Sequence, residues 1–276
     1  MNGPRGGGRW RTDGPGIMRT SAWRVALLVA VSVVAAGVAC ALPPVAQDPA
    51  YHDFADRRRI WGVPNALNVL SNAPFVIVGG LGLRRVLRRT RGAAWERAAF
   101  LILFGGVALT GAGSAWYHLA PTTATLFWDR LPMTLAFMPL LALTLGERLA
   151  PRAGPWLLPL CLAAGVGSVV HWRLGEAAGA GDLRLYALVQ FFPMLAIPLA
   201  LVLFPRRWIR GADLLVAVGW YALSKVFEAL DAPIFVLGGV VSGHTLKHLA
   251  AAAAAAWLLR VARAWRDRPE APRAPL

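Results

Sequence analysis

The chain has little charge, almost no lysine and almost no cysteine. Charged residues make up 16% of its 276 residues, against roughly 25% in ordinary globular chains. That shortage excludes a typical soluble enzyme and a disordered regulator. Two cysteines, Cys40 and Cys161, both in apolar runs, support neither a disulfide framework nor a cysteine-based metal site. Acidic residues number 14 against 29 basic ones, a net charge of +15. Only Lys225 and Lys247 among the basic residues are lysines, and both lie inside hydrophobic segments.

What fills the chain instead is apolar. Hydrophobic residues reach 57% and mean hydropathy is +0.52. Several uncharged runs approach or exceed the ~20 residues that cross a bilayer. An all-α, polytopic transmembrane bundle follows. The arginines fall in short clusters between apolar runs, the pattern of topology signals, so no nucleic-acid partner is expected. No protein partner can be inferred. Arginine in place of lysine, with abundant Ala and Gly, fits a GC-rich bacterial genome and hence an inner membrane.

Periodicity and run length predict eight helices, at about 24–43, 66–84, 96–118, 124–146, 154–171, 185–205, 212–230 and 243–262. The organisation is then a disordered basic start (1–23), an extra span (24–43), an outer loop (44–65), a seven-helix core (66–262) and a basic tail (263–276). With the N-terminus in the cytoplasm, 21 of the 27 arginines lie inside. Only Arg57, Arg58, Arg59, Arg130, Arg173 and Arg184 lie outside, as the positive-inside rule requires. Both termini are thereby cytoplasmic. A basic start, an apolar run and Ala39-Cys40-Ala41 also fit a cleaved signal peptide. The seven later spans keep their orientation either way.

Ionisable groups within a bilayer are costly and mark functional pathways. Ser114 and His118 share one face at the outer end of the third span. Asp129 follows across a short turn, near the outer start of the fourth. His244 and His248 occupy the first two turns of the last. A lone intramembrane histidine commonly serves as an interhelical hydrogen-bonding partner. Three at one depth also make a sufficient set for a catalytic zinc with one open position. His52 and His171 are expected to be interfacial, with His171 also a candidate to line an entrance.

Gly113-Ser114-Ala115-Trp116-Tyr117-His118, then Asp129-Arg130-Leu131-Pro132-Met133, then His244-x-x-x-His248, resembles the alkaline ceramidase family of seven-helix membrane amidases. Asn68-Val69-Leu70-Ser71-Asn72 is similar to the N-x-x-S-N that opens that family's first helix. The resemblance covers roughly residues 50–262. It implies that His118, His244 and His248 bind zinc, with Asp129 and Ser114 flanking the water it activates. The implied reaction is hydrolysis of ceramide or a related N-acyl membrane lipid to a fatty acid and an amine. Eukaryotic members of that family also carry an acidic calcium site before the core. Here Asp53 and Asp56 are its candidate remnants, but Arg57, Arg58 and Arg59 would repel a cation, which speaks against calcium.

Lys225 and Glu228, three apart, are expected to pair within the bundle. Asp231 is a candidate to hold a metal-binding histidine from behind. Lys247 lies between the two histidines on another face. It is a candidate to snorkel outward, or to contact an acidic substrate group or Asp231. The alternative function is a seven-helix zinc-binding receptor or sensor without activity. A transporter is a weaker third reading, because the polar groups gather at one end and not at the midplane.

Overall fold

The computed structural model describes residues 15–88 and 92–268. Among these residues the chain is helical, with no strand beyond an isolated bridge between Ile60 and Val63. The helices are α1 (Pro15–Ala41), α2 (Ala66–Leu70), α3 (Ala73–Leu87), α4 (Ala94–Leu119) and α5 (Thr123–Arg148). They continue with α6 (Gly154–Ala177), α7 (Arg184–Leu203), α8 (Gly211–Ala229), α9 (Asp231–Gly238) and α10 (Gly243–Arg266).

Four elements differ from the expectation. Most of the stretch expected to be a disordered start, 1–23, lies outside the described residues, but from Pro15 onward it is already helix α1. Proline suits a first helical turn, and no glycine or proline follows Gly16 until Gly37. Of the expected basic tail, residues 263–266 belong to α10, and residues 269–276 lie outside the described set. The second span breaks at Ser71-Asn72, because Pro74 lacks the N–H a continuous helix would need and restarts it as α3. The short α9 was not expected. It ends at Gly239, whose φ of 64° reverses the chain, and meets α10 at 112°.

Among the described residues six spans are long and apolar enough to cross a membrane, one of them α2 with α3, and α9 with α10 passes together as a bent pair. The protein is an integral membrane protein. Helix α8 spans 19 residues but carries Asp213, Lys225 and Glu228. Large apolar side chains such as Ile77, Leu160 and Val202 face outward, an exterior suited to lipid.

Helices α4 and α5 form the closest pair in the bundle. A Cβ on Gly113 would lie 1.9 Å from the Trp128 carbonyl oxygen. Pro132, four residues later, has no N–H to offer that carbonyl. Glycine on one helix and proline on the other thus bring the two backbones together beside Ser114 and Asp129. Helix α3 packs on α4, α10 packs on α3 and α8, and α6 and α7 pack on α5. The core runs through Phe100, Leu103, Phe104, Leu143, Ile197 and Trp265.

The extra helix α1 is almost wholly exposed and meets α7 through Leu28, buried with Ala200, Leu203 and Phe204. Its far end is held by Arg184, which donates to the carbonyls of Cys40, at 3.0 Å, and Leu42. Asp182 orients that arginine through bonds of 2.8–3.0 Å. At the opposite end of the bundle, Glu147 pairs with Arg148 at 2.8 Å and accepts three backbone N–H groups from residues 207–209. Glu96 there accepts from Trp265 and Arg268.

Two outcomes are expected. Gly113→Ala should destabilise detergent-solubilised protein by about 1–3 kcal/mol as the helices are forced apart. Gly105→Ala, where an added Cβ meets nothing within 4 Å, should leave the thermal midpoint unchanged or slightly higher. Second, the hydrogen bonds from Arg184 push the Asp182 carboxyl down to about 2, from an ordinary 3.8. Its stabilisation is therefore complete above pH ~4 and is lost as pH falls toward 2. The thermal midpoint of wild type should fall more than that of Asp182→Asn across that window.

Candidate metal centre and cavity

His118 ends α4, and His244 and His248 begin α10, so helix direction alone puts all three at one end of the bundle. Their candidate ligand nitrogens lie within 4.8 Å of one another, and all three side chains are buried. Nε2 of His118 faces Nε2 of His248 at 3.2 Å. Nδ1 of His118 and Nε2 of His244 are buried without a hydrogen-bond partner. Orphaned buried nitrogens are rare in folded proteins. Three converging imidazoles with open nitrogens fit a zinc-type ion.

The surrounding bonds orient the rings. Ser71 Oγ lies 3.1 Å from the Asn68 carbonyl, to which it donates, and 2.8 Å from His248 Nδ1. A hydroxyl whose proton is committed to Asn68 accepts from Nδ1–H and leaves Nε2 free to ligate. Asn65, itself in the left-handed region, donates to the His118 carbonyl at 2.8 Å. Ser242 caps α10 through the Thr245 N–H. Gly243 is needed because a Cβ there would meet the Phe227 carbonyl oxygen at 2.3 Å. Asp231 holds the site by its backbone: its carboxylate accepts from the N–H of His244 at 2.7 Å and of Ala55 at 3.0 Å.

The Ala55 bond fastens the outer loop over the centre. Phe54, buried, lays its ring 4.6 Å from His118 and 4.7 Å from His244. Arg58 ties the same loop to the carbonyls of Gly239 and Val240. Asp53 and Asp56 do not converge on a common site. Asp53 pairs with Arg57 at 2.8 Å on the surface. Asp56 accepts two bonds of 2.8 Å from Arg58, which hold its carboxyl below the usual range. His52 bonds Tyr117 and Thr123, and burial followed by the Arg130 cation keeps its imidazole below the ordinary value. His171 is exposed on α6.

Beside the histidines lies a cavity of about 340 Å³ between α5, α7, α8 and α10. Its polar end contains Ser114, Asp129 and His248, with Ser114 and Asp129 facing each other side chain to side chain. Its other end is apolar, lined by residues such as Met194, Ile197 and Leu258. Glu228 is the charged hub at the polar end. It meets Lys225 at 2.7 Å, Lys247 at 2.5 Å and the Tyr51 hydroxyl at 3.1 Å. Lys247 therefore contacts Glu228 and not Asp231. Sequence reasoning had singled out Lys225 with Glu228, but missed Tyr51, Phe54 and the role of Ser71. The N-x-x-S-N run was the one available signal for Ser71.

The fold and site together define a helical membrane protein with three clustered histidines beside an apolar cavity. The model of the Ceramidase family matches residues 62–195, a stretch that includes Ser114, His118 and Asp129. Over that stretch the chain matches the ceramidase family, and the match supports a membrane hydrolase of the ceramide-cleaving kind. A search of the curated proteins finds no match.

Metal analysis checks the centre directly. Protein purified without chelator should carry about one zinc per chain, with little in His118→Ala and His244→Ala. Ser71→Ala should weaken metal affinity about 10–100-fold while leaving the thermal midpoint of the metal-free protein in place.

Proposed function

We propose that the protein is a zinc-dependent amidohydrolase. It cleaves the amide of ceramide or a related N-acyl lipid to give a free fatty acid and an amine, the sphingoid base in the case of ceramide. The observation that carries this is the set of three buried imidazoles, two with orphaned nitrogens, at the polar end of an apolar cavity. Zinc held by His118, His244 and His248 would polarise the amide carbonyl and acidify a water near neutral pH.

The chain's own residues supply the rest. Asp129 is placed to take the proton of the attacking water and to deliver it to the nitrogen as the C–N bond breaks. Ser114, one helical turn from His118, donates to the developing oxyanion. Phe54 covers two of the imidazoles and keeps bulk water off the centre, which strengthens every polar interaction inside. The apolar end of the cavity accommodates an acyl chain that arrives from the bilayer. Glu228 cancels most of the charge of Lys225 and Lys247, so the polar end tolerates burial. The arginine distribution supports an inner-membrane protein with both termini cytoplasmic and the centre toward the periplasmic side.

Hydrolysis of ceramide and of N-acyl lipids by purified protein tests the proposal. His118→Ala and metal chelation should each abolish turnover. Asp129→Asn should lower kcat about 10²–10⁴-fold, and Ser114→Ala about 10²–10³-fold. Undiminished hydrolysis by the chelated protein, or none from a folded and zinc-loaded one, would sink it.

A further inference from the structure

Arg130 stands apart from the other cations of the cavity. It follows Asp129 on α5, is only 6% exposed, and contributes to the cavity wall. Its guanidinium lies over the rings of Trp172, Tyr186 and Tyr51, at 4.4, 4.9 and 5.4 Å. Among the described residues no carboxylate pairs with it, and its Nη1 is buried without a hydrogen-bond partner. Lys225 and Lys247, by contrast, share Glu228.

Aromatic faces offset part of the cost of burying a cation, but they cannot accept the in-plane N–H bonds of a guanidinium. An unpaired buried charge is destabilising, and one whose planar fork is held rigid by three rings is preorganised for a carboxylate or phosphate. Counted formally, Arg130, Lys225 and Lys247 face only Asp129 and Glu228, so the polar end lacks one negative charge.

We infer that Arg130 is a specificity-determining residue, and that the preferred substrate carries an anionic carboxylate or phosphate on the amine side of its amide. This rests on the proposed cleavage of N-acyl lipids. With the acyl chain in the apolar end and the amide beside His248 and Asp129, the remainder of the substrate falls next to Arg130 and Tyr51. An N-acyl amino acid or a phosphorylated N-acyl amino alcohol meets that requirement. Neutral ceramide leaves the guanidinium unpaired.

The experiment compares kcat/KM for N-palmitoylglycine, ceramide 1-phosphate, N-palmitoylethanolamine and ceramide. Wild type should favour at least one anionic substrate over its neutral counterpart by about tenfold or more, and which one identifies carboxylate or phosphate. Arg130→Met should collapse that ratio toward one. Arg130→Lys, which keeps a cation in the cage without the fork, should lower it severalfold and decides the matter if the methionine variant does not fold. Equal or better cleavage of the neutral substrates by wild type, or a ratio unmoved by both variants, overturns the inference.

Binding separates this inference from the cleavage it rests on. N-Palmitoylglycine or ceramide 1-phosphate should raise the thermal midpoint of His118→Ala but not of His118→Ala/Arg130→Met. Arg130-dependent stabilisation without hydrolysis of any amide supports the anion site and removes the amidohydrolase. Ceramide cleavage without anion preference does the reverse.

Discussion

Polar groups buried in an apolar bundle have to be satisfied by one another, and the end of the bundle that bears the histidines is arranged around that requirement. Nε2 of His118 and Nε2 of His248 point at each other across 3.2 Å, and His244 turns another unpaired nitrogen toward them. Two lone pairs facing at that distance repel unless a proton or a metal lies between. The structure invests heavily in keeping them there. Ser71 fixes one ring through its Nδ1, Asn65 anchors the helix end that carries His118, and Asp231 pins the backbone of His244.

The same logic governs the charges. Glu228 sits between two lysines and a tyrosine hydroxyl, so one carboxylate draws α8, α10 and the outer loop together at a single point. A second carboxylate, Asp231, joins the loop to the start of α10 only three residues later. The loop is thus fastened by these polar bonds and by the Phe54 ring, tilted against His118 and edge-on to His244. A lipid hydrolase faces the problem of admitting a long apolar chain while keeping water from the reacting bond. Here the cavity lies between α4, α5, α7, α8 and α10, and the loop adds Tyr51 to its wall.

Much of this was legible because helices impose a register. Spacing of four puts Ser114 with His118 and His244 with His248, and alternation of spans then sets both pairs and Asp129 at one level. That reasoning needs only the period and the number of crossings. It fails where the answer depends on how helices rotate against each other. Lys247 was assigned a face, but Asp231 was the wrong partner for it, since its meeting with Glu228 depends on the packing of α10 on α8. The outer loop has no period at all, so neither Phe54 nor Tyr51 could be placed. The break before α3 is readable from Pro74, but the uncharged run from Ile60 to Leu83 hides it.

Glycine and proline show how a motif encodes distance. In the segment that carries Ser114 and His118, Gly113 is the position where α4 touches the backbone of α5, at the carbonyl of Trp128. Proline at 132 removes the hydrogen bond that this carbonyl would otherwise receive within its own helix. The two residues contribute no chemistry, but together they set the separation of the helices that bear Ser114 and Asp129. The serine, the aspartate and the histidine therefore belong with the glycine and the proline as one spatial unit. Arg130 projects from this unit, one residue past the aspartate, toward rings supplied by the loop, α6 and α7. Its cage is assembled from three separate elements, so the helices that position the reacting groups also position the one buried guanidinium beside them that no carboxylate answers among the described residues.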